Sequence, residues 1–217
     1  MQARQAVIVG AGGHAISVAE TVRSAGYDLT GFTSDADFGS TLLGLPVLRE
    51  IPAEHLASGG IVVIAIGDNA NREEVWLRLS STVPIDQLPA VCHASAVIAP
   101  SARLAPGVVV MQGAIVANEA GIGLGGLLNT GSILEHEARL GDFGSLAPRS
   151  VTGGRVRIGA RTAISIGAAI KHGLTIGDDT VIGGSSYVDR DIESGVVAYG
   201  VPARVVRSRS RGDAYLG

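Results

Sequence analysis

The sequence predicts two units in series: a small α/β domain with a Rossmann-like parallel sheet over residues 1–90, then a parallel β-helix of hexapeptide repeats over 91–217. Three observations carry this. Every sixth residue from Ile98 to Val188 is Ile, Leu or Val, with Thr152 the one exception. The position two before each aliphatic is mostly small, as in Ala96, Ala114, Ala120, Gly126 and Ser132. Near the N-terminus an apolar run, a glycine turn and a helical pattern follow one another.

In chain order, Ala6 to Val9 reads as a strand, Gly10-Ala11-Gly12-Gly13-His14 as a turn, and Ile16, Val18, Ala19 and Val22 as the apolar side of a helix ending near Gly26. Glycines let backbone approach a ligand, and a helix N-terminus offers free N–H groups and partial positive charge, so this order suits a phosphate. Tight packing of helix on strand explains the same glycines. His14 reads either as a substrate contact or as a polar residue at a helix start. A second strand, Leu29 to Thr33, ends at Ser34-Asp35, where a carboxylate is placed to meet a ribose or base. A third, Ile61 to Ile66, leads to Asn69, the expected cap of a helix reaching Leu79. About ninety residues suit a mononucleotide half of a doubly wound fold better than a full dinucleotide domain. Pro84 and Pro89 close this unit, and Cys92-His93 read as packing and surface residues.

Six is a multiple of two but not of 3.6, so this period keeps one side chain inward on successive short strands and cannot keep a helix face apolar. Because the register never resets, the chain winds continuously, three hexads to a turn. Each inward aliphatic contributes roughly 1.5–3 kcal/mol on burial. Residues 18 apart then stack, and one column holds Asn118, His136, Gly154, His172 and Arg190. His136 lies between Glu135 and Glu137, a neutral base with a carboxylate to fix its tautomer. Gly154 above it is expected to leave room for an acyl group and a free N–H for an oxyanion. A solvated Glu-His-Glu corner above a tight glycine turn is the plainer alternative.

With 31 glycines, 4% aromatics and a net charge of −3, nothing marks a nucleic-acid surface. The single Cys92 excludes an internal disulfide and a thiolate zinc site. His136 and His172 are two coils apart, about 9–10 Å along the axis, too far to share one ion, so no metal is expected. No signal-peptide pattern or long apolar span is read, and a cytoplasmic protein without membrane insertion is expected. The arginines from Arg204 to Arg211 read as a solvated run or as partners for phosphates, and the closing Gly-Asp-Ala-Tyr-Leu-Gly carries no pattern.

The succession Gly-Ala-Gly-Gly-His, Asn129-Thr130-Gly131, Glu135-His136-Glu137, Gly141-Asp142-Phe143, Ala147-Pro148 and Gly200-Val201-Pro202-Ala203-Arg204 resembles the bacterial nucleotide-sugar acetyltransferases. Among these are UDP-4-amino-sugar and GDP-perosamine N-acetyltransferases, with sialic acid O-acetyltransferases as relatives. The resemblance implies a left-handed β-helix, a homotrimer, acetyl-CoA between neighbouring helices, and an acceptor that is a nucleotide-linked amino sugar, of the 4-amino-4,6-dideoxy kind. It implies a base and carboxylate at His136 and Glu137 and an oxyanion amide at Gly154. It implies acceptor contacts at Gly10, Gly12, Gly13, His14, Asp35 and Asn129, and CoA contacts at Gly154, His172, Gly184, Pro202 and Arg204. Many members carry a second histidine where this chain has Ser145, and the usual acidic pair is reduced to Ser34-Asp35. Direct attack without an acyl-enzyme is expected, since Cys92 lies outside the column and no serine pairs with His136. A hydroxyl acceptor and a non-catalytic nucleotide-sugar-binding trimer are the alternatives.

Overall fold

A computed structural model describes residues 3–215; residues 1–2 and 216–217, at the outer ends of the two predicted units, lie outside the described residues. β1 (Gln5–Val9), β2 (Asp28–Thr33), β3 (Thr41–Leu42), β4 (Leu45–Leu48) and β5 (Ile61–Ile64) form one sheet in the order β3-β4-β2-β1-β5. All neighbours are parallel except β3 against β4. Helices α1 (Gly13–Ser24), α2 (Ala53–Ala57) and α3 (Asn69–Ser80) connect and cover it. β1 is central between β2 and β5, so the turn after it opens at the place where α/β sheets bind ligands. α1 buries Val18, Ala19 and Val22 but leaves Ile16 exposed.

α3 departs from expectation at its start. The cap is Asp68, whose carboxylate accepts the Asn71 N–H at 3.0 Å. Asn69 is instead buried and turned toward the second unit, donating from Nδ2 to the Arg161 carbonyl at 3.1 Å. A carboxylate at the N-cap gains more from the helix dipole than a neutral amide does.

From Val91 the chain winds into the expected β-helix. Two-residue strands pair in parallel with the strand 18 residues on, Ile115 with Ile133 and Leu127 with Ser145. Three faces result, and the predicted aliphatic ladder forms their dry interior, with Leu128, Leu134, Leu146 and Ile164 fully buried.

The faces differ outside. The first carries Val91, Val109 and Leu127, which pack with the sheet and α1 of the α/β domain into one core. The second carries Val97, Ile115, Ile133, Val151, Ala169 and Tyr187, an apolar strip with Val97 59% and Tyr187 41% exposed. The third carries Arg103, Gly121, Arg139, Arg157 and Thr175.

Arg72 on α3 fastens the two units and is 2% exposed. It donates to the carbonyls of Ile66 and Gly67 on its own side and to those of Gly125 and Phe143 on β-helix turns, at 2.8–3.0 Å, and to Asn69 Oδ1 at 2.7 Å. Burial pushes its pKa down to about 10, offset in part by Tyr215 and Asp68, so it stays charged at neutral pH. Trp76, Leu79 and Phe143 pack beside it. No helix among the described residues is long and apolar enough to cross a membrane.

Candidate functional site

Beyond the edge of the docked domain, the first face continues as Ser145 and Ala163, and a cavity of about 480 Å³ opens over them. His14 and Gly67 wall it from the α/β domain, Asn129, Pro148 and Ile166 from the corner leading to the second face, and Tyr215 from the C-terminal segment. Gly184 lines it as well. Burial first, and the Arg72 charge second, push the His14 pKa down from 6.5 to about 4, so this imidazole is neutral at physiological pH.

The three glycines before His14 divide. Gly10 has φ +114°, and a Cβ there would stand 2.8 Å from the Ala65 carbonyl oxygen, so close packing of β1 on β5 requires it. Gly12 and Gly13 have open space where a side chain would lie, as a ligand-facing turn needs. Asp35 is placed elsewhere, on a separate cavity of about 410 Å³ with Arg49 and Arg78. It does not meet His14 or Asn129 in one cavity.

His136 stands at the other edge of the second face. Its Nδ1 is 3.2 Å from Glu137 Oε1, the pair about half exposed at 48% and 52%. Glu135 instead accepts the His136 backbone N–H at 3.0 Å. The tautomer with hydrogen on Nδ1 therefore leaves Nε2 as acceptor. The column stacks as expected, since Arg155 N–H donates to the His136 carbonyl and Gly173 N–H to that of Gly154. The open space expected over Gly154 is not free, because the ring lies across the glycine where a Cβ would collide with Nε2 and Cε1. The missing side chain seats the imidazole instead.

Thr152, the break in the ladder, now has a cause. Its buried hydroxyl accepts the Glu135 N–H at 3.0 Å, in place of the regular rung between Leu134 and Thr152. One polar side chain in the core thus holds the corner that presents His136.

His172 is exposed two coils along the same corner, away from Gly184. Pro202 and Arg204 are exposed on the closing hairpin of Val196–Gly200 and Ala203–Ser208, with Arg204 3.3 Å from Asp189. Burial raises the Cys92 pKa, and Cys92 packs against the β-helix core.

Two residues escaped sequence reading. Arg72 shares a helix face with Trp76 and Leu79, a cation on the apolar side, and that periodicity was the available signal. Tyr215, from the closing stretch that carries no pattern, reaches the cavity through a fold contact without any local signature; Leu216 and Gly217 lie outside the described residues.

Residues 5–79 match the family model described as the PglD N-terminal domain. PerB from Caulobacter crescentus, solved with CoA and GDP-perosamine, is 34% identical with a TM-score of 0.86, over 94% of this chain and 97% of that one. The acetyltransferase domain of PglB from Neisseria gonorrhoeae FA1090, solved with acetyl coenzyme A, is 27% identical with a TM-score of 0.85, over 94% and 100%. A stretch of 52 residues is 48% identical to galactoside O-acetyltransferase of Escherichia coli (strain K12), covering 24% of this chain and 26% of that protein's length.

Proposed function

The chain belongs to the nucleotide-sugar acetyltransferases, and from that membership we propose that it is an acetyl-CoA-dependent N-acetyltransferase acting on a nucleotide-linked amino sugar, of the 4-amino-4,6-dideoxy class, as a homotrimer in the cytoplasm. One observation supports this above the others. The exposed apolar face has the His14–Asn129 cavity along one edge and the His136–Gly154 corner along the other.

A single chain cannot join those edges, whereas cyclic packing of copies with parallel axes covers the apolar face and sets one copy's cavity edge against the next copy's histidine edge. Rotation about a parallel axis preserves height. Asn129 and His136 share one coil and Pro148 and Gly154 the next, so the edges meet level. The exposed Pro148–Ile166 edge, with Ile166 63% exposed, then lines an apolar groove suited to the pantetheine arm of acetyl-CoA. Gly184 on one wall and Gly154 with His172 on the other face that groove, Pro202 and Arg204 take the adenosine end, and Gly12, Gly13 and His14 hold the acceptor. Asp35 takes part through the nucleotide at its separate cavity. Residues 1–90 act as the nucleotide-sugar unit and 91–217 as the acetyltransferase unit.

Acetyl-CoA supplies a thioester carbonyl that is open to an amine. The sugar amine is protonated near neutral pH and must lose a proton before its nitrogen bonds to that carbonyl and the carbon–sulfur bond breaks. One proton goes to solvent; His136 Nε2 takes the other as the bond forms and hands it to the departing CoA sulfur, while Glu137 steadies Nδ1–H and the Gly154 N–H faces the oxygen that gains charge. General-base help of this kind gives about 10²–10⁴-fold, and holding both substrates in one groove adds a proximity term.

A thiol-release assay with acetyl-CoA and a panel of UDP-, dTDP- and GDP-linked 4-amino sugars tests the reading. Turnover of one of them, reduced at least about a hundredfold in His136→Ala, is expected. Full activity in the variant, or acetylated protein on the pathway, refutes the mechanism. A hydroxyl acceptor is the second reading, favoured by the 52-residue match to an O-acetyltransferase.

A further inference from the structure

The C-terminal segment after the closing hairpin has no part in the chemistry above, yet it is tied down along its length. Arg209 donates to the Asp179 carbonyl at 2.8 Å and to that of Asp213 at 2.6 Å. Ser210 N–H reaches Asp213 Oδ2 at 2.9 Å, and Arg211 pairs with Glu73 of α3 at 2.7 Å. Glu73 also meets Arg161, which grips Asp179 with two bonds of 2.8 Å. The segment therefore crosses from the β-helix to the α/β domain as a fixed strap.

At its end the Tyr215 ring lies 5.3 Å from the Arg209 guanidinium and forms part of the cavity wall with His14, Asn129 and Ser145. Its hydroxyl accepts the Asn69 N–H at 3.2 Å, and Ser145 lines the same cavity. The bond it donates to the Gly67 carbonyl is 3.4 Å long, well beyond the usual 2.7–2.8 Å of a hydroxyl donor. A hydroxyl so placed has room for a shorter bond to a ligand in the cavity. Burial raises the phenol pKa, which keeps its proton in place at neutral pH. Ser145 is itself buried on the cavity floor, so each residue brings a hydroxyl to the same cavity.

We infer that Tyr215 is a specificity-determining residue of the acceptor end: its ring limits the depth of the cavity, and its hydroxyl, beside Ser145, hydrogen-bonds a hydroxyl of the acceptor sugar. The inference rests on the acetyltransferase reading. A tyrosine that only tied the strap would matter for stability and not for the acceptor.

Steady-state kinetics of Tyr215→Phe and Tyr215→Ala, with thermal unfolding of both, separate these roles. In Tyr215→Phe the acceptor KM rises about tenfold, the loss of one hydrogen bond, while the acetyl-CoA KM and kcat stay within about twofold. Tyr215→Ala also turns over an acceptor with an added ring substituent that the parent protein rejects. An unchanged acceptor KM in Tyr215→Phe, with a normal parent enzyme, overturns the role of Tyr215 and leaves the acetyltransferase reading intact. A parent enzyme inactive on every nucleotide-linked amino sugar overturns both.

Discussion

The cavity beside His14 and the corner that carries His136 are built on opposite plans. The cavity is walled by the α/β domain, the β-helix and the C-terminal segment together and backed by a buried arginine, and its histidine is held neutral by burial and by that arginine's charge. The corner is one turn of the β-helix, half exposed, with its histidine oriented by the next residue and seated on a glycine one coil away. Tertiary assembly makes the first, and sequence repetition makes the second. A site that combines them therefore has one half sensitive to how the two units dock and one half sensitive only to local stacking.

The largest expected effect tests the docking. Arg72→Met removes a buried donor and strands the carbonyls of Gly125 and Phe143 among others. It should lower unfolding free energy by about 3–5 kcal/mol, read from urea denaturation. A loss below about 1 kcal/mol would show that the cation is not what joins the units, and the contrast would weaken.

Next comes the pH dependence of the cavity. His14 has a folded pKa of about 4 against an ordinary 6.5, so between those values the unfolded chain binds more protons. Stability from this group is full above pH 6.5 and declines as pH falls toward 4, by about 3 kcal/mol in total. His14→Gln should flatten that part of the stability–pH curve. An identical slope in parent and variant would place His14 in water rather than in a sealed wall.

The smallest effect sharpens the other side. Gly154→Ala pushes against the His136 ring without touching the cavity. Turnover should fall about tenfold from misplacement of the base, with nucleotide-sugar affinity unchanged by calorimetry. A parallel loss of that affinity would mean that the two halves are not built independently.

This division also decides what could be read from sequence. The ladder and its column are periodic, so the stacking of Gly154 on His136 followed from counting residues. Thr152 was visible as a break, but its purpose depends on which N–H lies over it. Asn69 looked like a cap because amides commonly are, and Asp68, one residue earlier, took the position. Tyr215 meets Asn69 across 146 residues, with no period to announce it. Asp35 ends the expected strand, yet only the packed fold gives it a different cavity from His14.

The coil of 18 residues turns the β-helix into a ruler with divisions of about 4.8 Å. Lengthening it by one hexad keeps the interior dry but turns everything beyond by a third of a revolution. Between His136 and Gly154 that would carry the glycine to another edge of the prism. Only three hexads at once restore direction, and they move the glycine a whole division away. The single step between His136 and Gly154 therefore admits no insertion at all.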